Sequence, residues 1–320
     1  MFPFRRWWRR TQLPVLGVDL GADAIRVVGL SGRSRCGPLK VSHYAYRPLP
    51  RGAMRDGVVA MPEEIAATLR DAIRDSGSRL RDVALALPAG AVIRKTLSLP
   101  DGLHGDDLEM QIEAEASESL PFPRDDIGLD FAAAGPSTAQ PDSVDVVLVA
   151  ARRERIDERI ALARAAGLRP LIVDIESHAL VAALTAVDGE CTATEGVIAA
   201  LWLGMDRRHC LFIANGELVY ERELGLANAA DDSASVDRIC QEFDRALQLF
   251  QTATVYAQPQ QTYLLGAVPA TLPSALQRRT GSHIALPDPL LSWSGKERSA
   301  GDPPSSCMLA CGLALRSFDR

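Results

Sequence analysis

The chain has 320 residues, which is enough for two domains with a sizeable core. Hydrophobic residues make up 47% and charged residues 24%, ordinary values for a soluble globular protein. The net charge of -6 disfavours a nucleic-acid partner, because nucleic-acid binding depends largely on cationic contacts to phosphates.

The first ten residues, MFPFRRWWRR, interleave arginines with aromatic residues. They do not form a signal peptide, because no apolar core follows the charges. Two interpretations remain open for Met1–Arg10: a peripheral contact with an anionic membrane surface, or an unstructured tail. No stretch of the chain approaches the ~18–20 apolar residues that span a bilayer.

Three strands and a helix open the globular part. Apolar runs predict strands at Val15–Asp19, Ala24–Leu30 and Leu39–Tyr46. Apolar residues at four-residue spacing then predict a helix over Pro62–Ser76.

The middle of the chain forms an insertion in this prediction. Strands at Val83–Leu87 and Val92–Leu99 flank a Pro-Ala-Gly turn, which favours a hairpin. The further elements are an acidic helix, Asp106–Ser119, strands Ile127–Ala133 and Val144–Ala151, and a helix, Arg153–Ala166. A strand, Leu171–Ile175, and a helix, Glu176–Val187, then rejoin the first unit.

The strand-strand-strand-helix order then occurs a second time. The repeat comprises strands Gly196–Leu203, His209–Ala214 and Leu218–Leu224, with a helix over Ala234–Val255. A duplicated module of this kind is typical of the actin, Hsp70 and sugar-kinase superfamily, an α/β fold of ribonuclease H-like halves. Two unrelated α/β halves are the alternative. Later elements are a strand at Thr262–Leu265, an exposed polar loop at Ser294–Ser306 and a closing helix at Leu309–Phe318.

Asp19-Leu20-Gly21 is the first candidate nucleotide loop. A glycine after the strand allows backbone N–H groups to approach phosphates closely. Ala22 offers no side-chain donor, however, and Asp23 would repel phosphate unless a metal intervened. This loop carries only part of the expected chemistry.

The second and third nucleotide elements are weaker still. Trp202 stands where an acid would position a metal-bound water, and Asp206 lies past Gly204, where it is a poor substitute for that acid. The late loop keeps a single glycine, Gly266. We therefore predict no catalytic residues and a degenerate nucleotide site. An active ATPase or sugar kinase is the alternative, and it would need Asp206 or Asp174 as the acid.

Metal ligation is not indicated. The six cysteines form no CxxC pair, and the five histidines form no HxxxH or HExxH pair. Reduced thiols in the core explain the cysteines best. The glutamates of Asp106–Ser119 are best explained as a solvated helix face.

Several short motifs in order resemble the type IV pilus assembly protein PilM family. They are Gln111–Glu115 with Leu120–Pro123 and Asp130, Gly167–Pro170 with Val173–Glu176 and Ala179-Leu180, Glu242–Leu247, and Cys311–Arg316. The resemblance extends over nearly the whole chain, from about Leu13 to Phe318.

The resemblance implies an actin-like fold with an insertion subdomain arranged as in FtsA and a shortened second domain. It implies a scaffold at the cytoplasmic face of the bacterial inner membrane. Such a scaffold clasps the N-terminal tail of a PilN-like membrane protein and links it to pilus motor ATPases. ATP and Mg²⁺ are the implied cofactors. The actin-like domain of a type II secretion platform protein is a further alternative, although such proteins usually continue into a transmembrane helix.

The predicted division of the chain follows from these elements. The units are a tail (1–12), a first domain (13–80 and 171–195, with 307–320 as its closing helix), an insertion (81–170) and a second domain (196–306). The insertion's first hairpin and the Asp106–Ser119 helix are the predicted partner region. Its candidate contacts are Leu85, Leu87, Val92, Ile93 and Leu97.

Overall fold

The computed structural model describes residues 14–32, 34, 37–55, 57–137, 140–188, 196–225, 233–293 and 299–318. The predicted membrane tail, most of the link between the third strand of the repeat and its helix, and residues 294–298 of the predicted loop lie outside these ranges. Within them, no helix is both long and apolar enough to cross a membrane.

The first unit is a five-stranded sheet with helices on both faces. Its strand order is β3-β2-β1-β6-β10, with β1 antiparallel to β2 and parallel to β6. Helices α1 and α3 cover one face, and α4 and α8 cover the other. Its elements are β1 (Leu16–Leu20), β2 (Ala24–Ser31), β3 (Lys40–Pro48), the small β4 (Met54–Arg55) and β5 (Val58–Val59) pair, α1 (Pro62–Asp75), β6 (Asp82–Leu87), α3 (Arg153–Ala165), β10 (Arg169–Ile175) and α4 (Glu176–Asp188).

The second unit repeats the topology of the first. Its sheet order is β13-β12-β11-β14-β15, the same 3-2-1-4-5 arrangement of strands. Its elements are β11 (Val197–Leu203), β12 (Arg208–Ala214), β13 (Glu217–Leu224), α5 (Ser233–Ala253), β14 (Gln261–Gly266), α6 (Leu272–Thr280), β15 (His283–Ala285) and α7 (Pro289–Ser292). The last helix, α8 (Met308–Ala314), returns to the first unit. The predicted duplication is therefore confirmed.

The insertion is a three-stranded antiparallel sheet, ordered β7-β9-β8, with α2 packed on one face. Its elements are β7 (Val92–Pro100), α2 (Asp106–Ser119), β8 (Ile127–Pro136) and β9 (Ser143–Arg152). Strand alternation places Val146 and Leu148 against Ile112 of α2, while Val147 and Val149 face the opposite way.

The predicted hairpin between Val83 and Leu99 is wrong. Strand β6 pairs in parallel with β1 and β10 of the first sheet and forms no ladder with β7. Its run DVALAL is buried on both faces, as expected for an internal parallel strand, and Leu85 is fully buried. The Pro-Ala-Gly segment therefore passes from one sheet to another, and the insertion sheet begins at β7 instead of β6.

Helix α8 fills the space between the two units. It packs on α4 and β1, and its apolar residues belong to a core that also contains Ala200 and Leu211 of the second sheet. The contact is backbone to backbone: a Cβ on Gly17 would lie 1.9 Å from the Ala310 carbonyl oxygen, and one on Gly312 would lie 1.8 Å from that of Ala179. Only glycine allows so close an approach.

The described cysteines, Cys210, Cys240, Cys307 and Cys311, are buried thiols. Cys36 and Cys191 lie outside the described ranges. Among the described residues no group of three or more His, Cys, Asp and Glu side chains could hold a metal ion.

Candidate functional site

The structure brings together all the residues predicted for a nucleotide site. They line one cleft between the two sheets, and Leu309 of α8 also lines it. The residues predicted from the sequence are Asp19, Gly21, Ala22, Asp23, Gly204 and Gly266.

Arg26, which the sequence motifs do not single out, lies on the side of this cleft that the first sheet forms. Its Nη2 donates to Asp23 Oδ2 at 2.9 Å, its Nε donates to Asp302 Oδ1 at 2.8 Å, and its Nη1 lies 3.7 Å from Asp19 Oδ2. Tyr44 also donates its hydroxyl proton to Asp302. One buried guanidinium therefore faces three carboxylates.

The pKa of the Asp19 carboxyl is raised in this buried group of charges. Burial raises its pKa to about 7, and the nearby carboxylates of Glu176 and Asp23 act in the same direction, against the lowering effect of Arg26. The pKa of Arg26 is also raised, but here burial acts against the shift and the carboxylates cause it. Although burial lowers the pKa of its guanidinium, Asp19, Asp23 and Asp302 raise it well above its usual value.

Asp302 lies in the segment predicted to be an exposed polar loop. In its described part, 299–306, the side chains of Asp302, Ser305 and Ser306 are buried. Ser306 donates its hydroxyl proton to Asp302, and Ser305 donates to the Pro287 carbonyl. The prediction of full exposure is therefore wrong, because the polar side chains satisfy one another and the neighbouring backbone.

The second side of the cleft has Trp202, instead of a carboxylate, near the end of β11. Trp202 is 8% exposed and belongs to the core shared by α4 and α8. Asp206 lies 3.5 Å from Arg207 Nε and accepts a hydrogen bond from the Gly57 N–H at 3.4 Å. Asp174 is not in the cleft and pairs with Arg316 at 3.0 Å.

Gly204 and Gly266 have structural reasons to be glycine. Gly204 closes a tight turn with its N–H on the Arg207 carbonyl at 2.9 Å. Gly266 has a φ of 86°, and a Cβ there would lie 2.4 Å from the Leu203 carbonyl oxygen. Strand geometry at the end of β11 and β14 accounts for both residues.

The implied ATP and Mg²⁺ do not fit this arrangement. The cavity of the cleft measures about 30 Å³, little more than water requires, whereas small-molecule pockets measure roughly 300–1,000 Å³. Of the carboxylates in the cleft, Asp19 and Asp23 are turned to Arg26, whereas Glu176 and Asp206 pair with Arg207.

The five predicted partner-contact residues separate into three groups. Leu85 lies inside the first sheet. Ile93 and Leu97 pack on the α2 side of the insertion. Leu87 and Val92 line a narrow groove between the insertion and β10.

The walls of this groove come from two sheets. Val149 and Gly128 of the insertion stand opposite Val173 and Ile175 of β10. Asp130 lies at the same place, and burial raises its pKa to about 6. The groove is apolar, with a carboxyl group on the insertion side.

A larger cavity of about 440 Å³ lies beyond Leu87 and Ala151, which also line the groove. Its charged lining includes Arg159 of α3 and Arg207 of the β11–β12 turn. No local sequence pattern indicates this cavity, because its lining residues come from distant parts of the chain.

The sequence model described as type IV pilus assembly protein PilM matches residues 17–229. The chain belongs to this family. The match covers the first unit, the insertion and the first three strands of the second unit.

Solved structures with the same fold cover almost the full chain. A PilM-PilN type IV pilus biogenesis complex is 24% identical with a TM-score of 0.81, covering 97% of this chain and 100% of that chain. The cytoplasmic domain of EpsL, an inner membrane component of the type II secretion system of Vibrio cholerae, is 12% identical with a TM-score of 0.50; 96% of this chain and 95% of that chain are covered. The ethanolamine utilization protein EutJ from Carboxydothermus hydrogenoformans is 14% identical with a TM-score of 0.50. The match covers 97% of this chain and 93% of that chain. At these identities the structures show the actin-like fold, which confirms the predicted fold class.

Proposed function

We propose that this PilM family member is a scaffold of the type IV pilus platform that binds the N-terminal segment of a PilN-like membrane protein. The observation that carries the proposal is the groove between β10 and the face of the insertion sheet that α2 leaves uncovered. The solved relative is described as a PilM-PilN complex, and its fold matches nearly all of this chain.

The chemistry of the groove suits a short, extended, apolar peptide. Half-buried Val92, Val149 and Val173 provide apolar contacts. Asp130 Oδ2, which has no hydrogen-bond partner among the described residues, provides an acceptor. Strand β10 ends the order of the first sheet and β8 ends that of the insertion sheet. Backbone groups at such sheet edges can pair with an added strand.

A scaffold role requires no turnover. Two observations support this role: Trp202, and not a carboxylate, lies near the end of β11 in the cleft, and Arg26 engages Asp23 and Asp302. We infer that the chain does not hydrolyse ATP, and that its partner holds it at the cytoplasmic face of the inner membrane and near the pilus motor ATPases. Contact of Met1–Arg10 with membranes is a separate proposal; deleting this segment should then weaken binding to anionic vesicles.

The direct test measures fluorescence anisotropy of a labelled N-terminal peptide from the neighbouring PilN-like protein. Val92→Glu places a charge in the groove and should weaken binding by ~10-fold or more, because a buried carboxylate is costly without a partner. Thr96→Glu is the matched control, since Thr96 is exposed on the same face of β7 and outside the groove. Failure of the folded wild-type protein to bind at tens of micromolar would remove the proposal.

A further inference from the structure

The cavity of about 440 Å³ lies where the first unit, the insertion and the second unit meet. Arg159 and Arg155 reach it from α3, Arg152 from the end of β9, and Arg207 from the second unit. Among the described residues that line the cavity, these four guanidinium groups face two carboxylates, those of Glu154 and Glu223. The lining is therefore rich in guanidinium groups, three of which also pair with carboxylates outside it: Arg155 and Arg159 with Glu158, and Arg207 with Glu176 and Asp206.

Two of these guanidinium groups converge on one residue. Arg159 donates from Nη2 to the Gly57 carbonyl at 2.7 Å. Arg207 lies on the other side of Gly57, where its Nη1 is 2.8 Å from the place that a Cβ would occupy. Side chains from α3 and from the second unit thus meet at the same wall of the cavity.

Both groups are buried and incompletely paired. Arg159 is 2% exposed and Arg207 is 9% exposed. Within the described part of the chain, Arg159 Nε and Arg207 Nη1 have no hydrogen-bond partner. Arg207 Nε makes no hydrogen bond but lies 3.5 Å from an Asp206 carboxylate oxygen, and Glu158 and Glu176 bind other nitrogens of the two side chains. A buried donor without an acceptor costs free energy, and more so when it is charged. Burial lowers the pKa of Arg159 despite the carboxylates of Glu158 and Glu176. Burial acts in the same direction on Arg207, but Glu176 and Asp206 raise the pKa of that side chain above its usual value.

The cavity lining also has an apolar part. Leu87, Pro88, Ile93 and Phe122 line it, and Arg152 stacks over the Phe122 ring at 4.3 Å. The volume falls in the range of roughly 300–1,000 Å³ that is usual for small-molecule sites. Planar guanidinium forks bind carboxylate or phosphate oxygens in pairs.

We propose that this cavity binds a small oxoanion, a phosphate or carboxylate attached to an apolar or aromatic body, through Arg159 and Arg207. Such a ligand would contact the first unit, the insertion and the second unit together. It would stabilise their relative arrangement next to the peptide groove, which shares Leu87 and Ala151 with the cavity. The site is separate from the cleft at Asp19 and does not depend on the peptide partner.

Isothermal titration calorimetry on the full chain tests the proposal with pyrophosphate, adenosine 5′-monophosphate and citrate as probes. Sodium chloride at matched ionic strength controls for nonspecific screening. We expect a dissociation constant of ~1 mM or tighter for at least one probe. Preference for pyrophosphate or the nucleotide would assign a phosphate ligand, and preference for citrate a carboxylate ligand. Absence of specific heat with all three probes would overturn the proposal.

Substitutions of single arginines test whether the probes bind in this cavity. Arg155→Glu reverses a charge at the partly exposed rim of the cavity and should weaken binding by ~10-fold or more. Arg164→Glu makes the same change on an exposed position of α3 outside the cavity and should leave the affinity within about twofold. Arg159→Lys keeps the charge but loses the fork, and it should also weaken binding. Equal effects of the two glutamate variants, or unchanged binding in both Arg155→Glu and Arg159→Lys, would overturn the proposal.

Discussion

Arg26 Nε donates to Asp302 Oδ1 at 2.8 Å, a contact between residues 276 positions apart. It ties strand β2 of the first sheet to the loop that precedes α8. The same guanidinium engages Asp23 and faces Asp19, so that it joins the end of the first strand, the loop after it and the segment before α8. The cleft is thus held closed by a charge network of its own.

Removal of Arg26 should destabilise the protein strongly. Arg26→Ala would leave three carboxylates close together, two of them buried, with no cation beside them. Breaking a buried ion pair from one side costs about 3–5 kcal/mol, and we expect the free energy of unfolding at pH 7 to fall by that amount. Urea denaturation followed by circular dichroism would measure it.

Arg47→Ala is the control for that experiment. Arg47 also pairs with an aspartate, Asp75, but both side chains are largely exposed. Exposed pairs contribute little, because water and salt screen them. If both variants shifted the urea midpoint equally, the buried network at Arg26 would stabilise the fold no more than a surface pair does, contrary to this prediction.

The stability should fall as the pH rises through the window set by Asp19. The pKa of this carboxyl is raised by burial from 3.8 to about 7 in the folded protein. Between these values the folded state retains a proton that the unfolded state has released, so the stability it contributes below pH 4 is lost towards pH 7. Asp19→Asn should remove roughly 4 kcal/mol of this pH dependence.

Urea unfolding between pH 4 and 7.5 would compare wild type, Asp19→Asn and Asp107→Asn. Asp107 is exposed on α2, and its replacement should leave the pH profile parallel to that of the wild type. A profile of Asp19→Asn that is also parallel to the wild type would show that Asp19 is not the titrating group.

Nucleotide binding should not depend on Asp19. The cleft has a cavity of about 30 Å³ and holds Trp202 in place of a carboxylate. We expect Asp19→Ala to leave the calorimetric signal of ATP with Mg²⁺ unchanged, and the wild type to release no phosphate above the buffer rate. Micromolar ATP binding that disappears in Asp19→Ala would contradict the scaffold interpretation. A signal that persists in Asp19→Ala but disappears in Arg155→Glu would belong to the arginine-lined cavity.

Local patterns in the sequence are sufficient for most elements. The predicted helix Asp106–Ser119 has the same bounds in the structure. Between β12 and β13, Asn215 and Gly216 both have positive φ, which is typical of an Asn-Gly hairpin turn. The repeated order of strands and helices leads to the duplicated fold because each element carries its own periodicity.

Features that depend on distant pairing cannot be found in this way. Strand β6 is followed by a turn and another apolar strand, which resembles a hairpin, although its partners are β1 and β10. Arg26 lies inside an apolar strand, and that alone indicates a buried partner, but nothing local identifies Asp302. Leu87 and Val92 are close in sequence and line the same groove. Leu85 is equally close in sequence but lies inside the first sheet, because β6 belongs to that sheet and not to the insertion.

Gly312→Ala should be among the most destabilising small substitutions in the chain. The added methyl group would lie 1.8 Å from the Ala179 carbonyl oxygen of α4, a backbone atom that cannot turn away. Overpacking a core costs typically 1–3 kcal/mol, and we expect the upper end or more because α8 must separate from α4. Gly128→Ala is the matched control, since its methyl group would meet only the end of the Ile156 side chain, which can change rotamer. Thermal unfolding of both variants would compare the two costs. Equal melting temperatures would show that α8 can shift away from α4 without loss, and that the close backbone contact between these helices does not limit the stability of the fold.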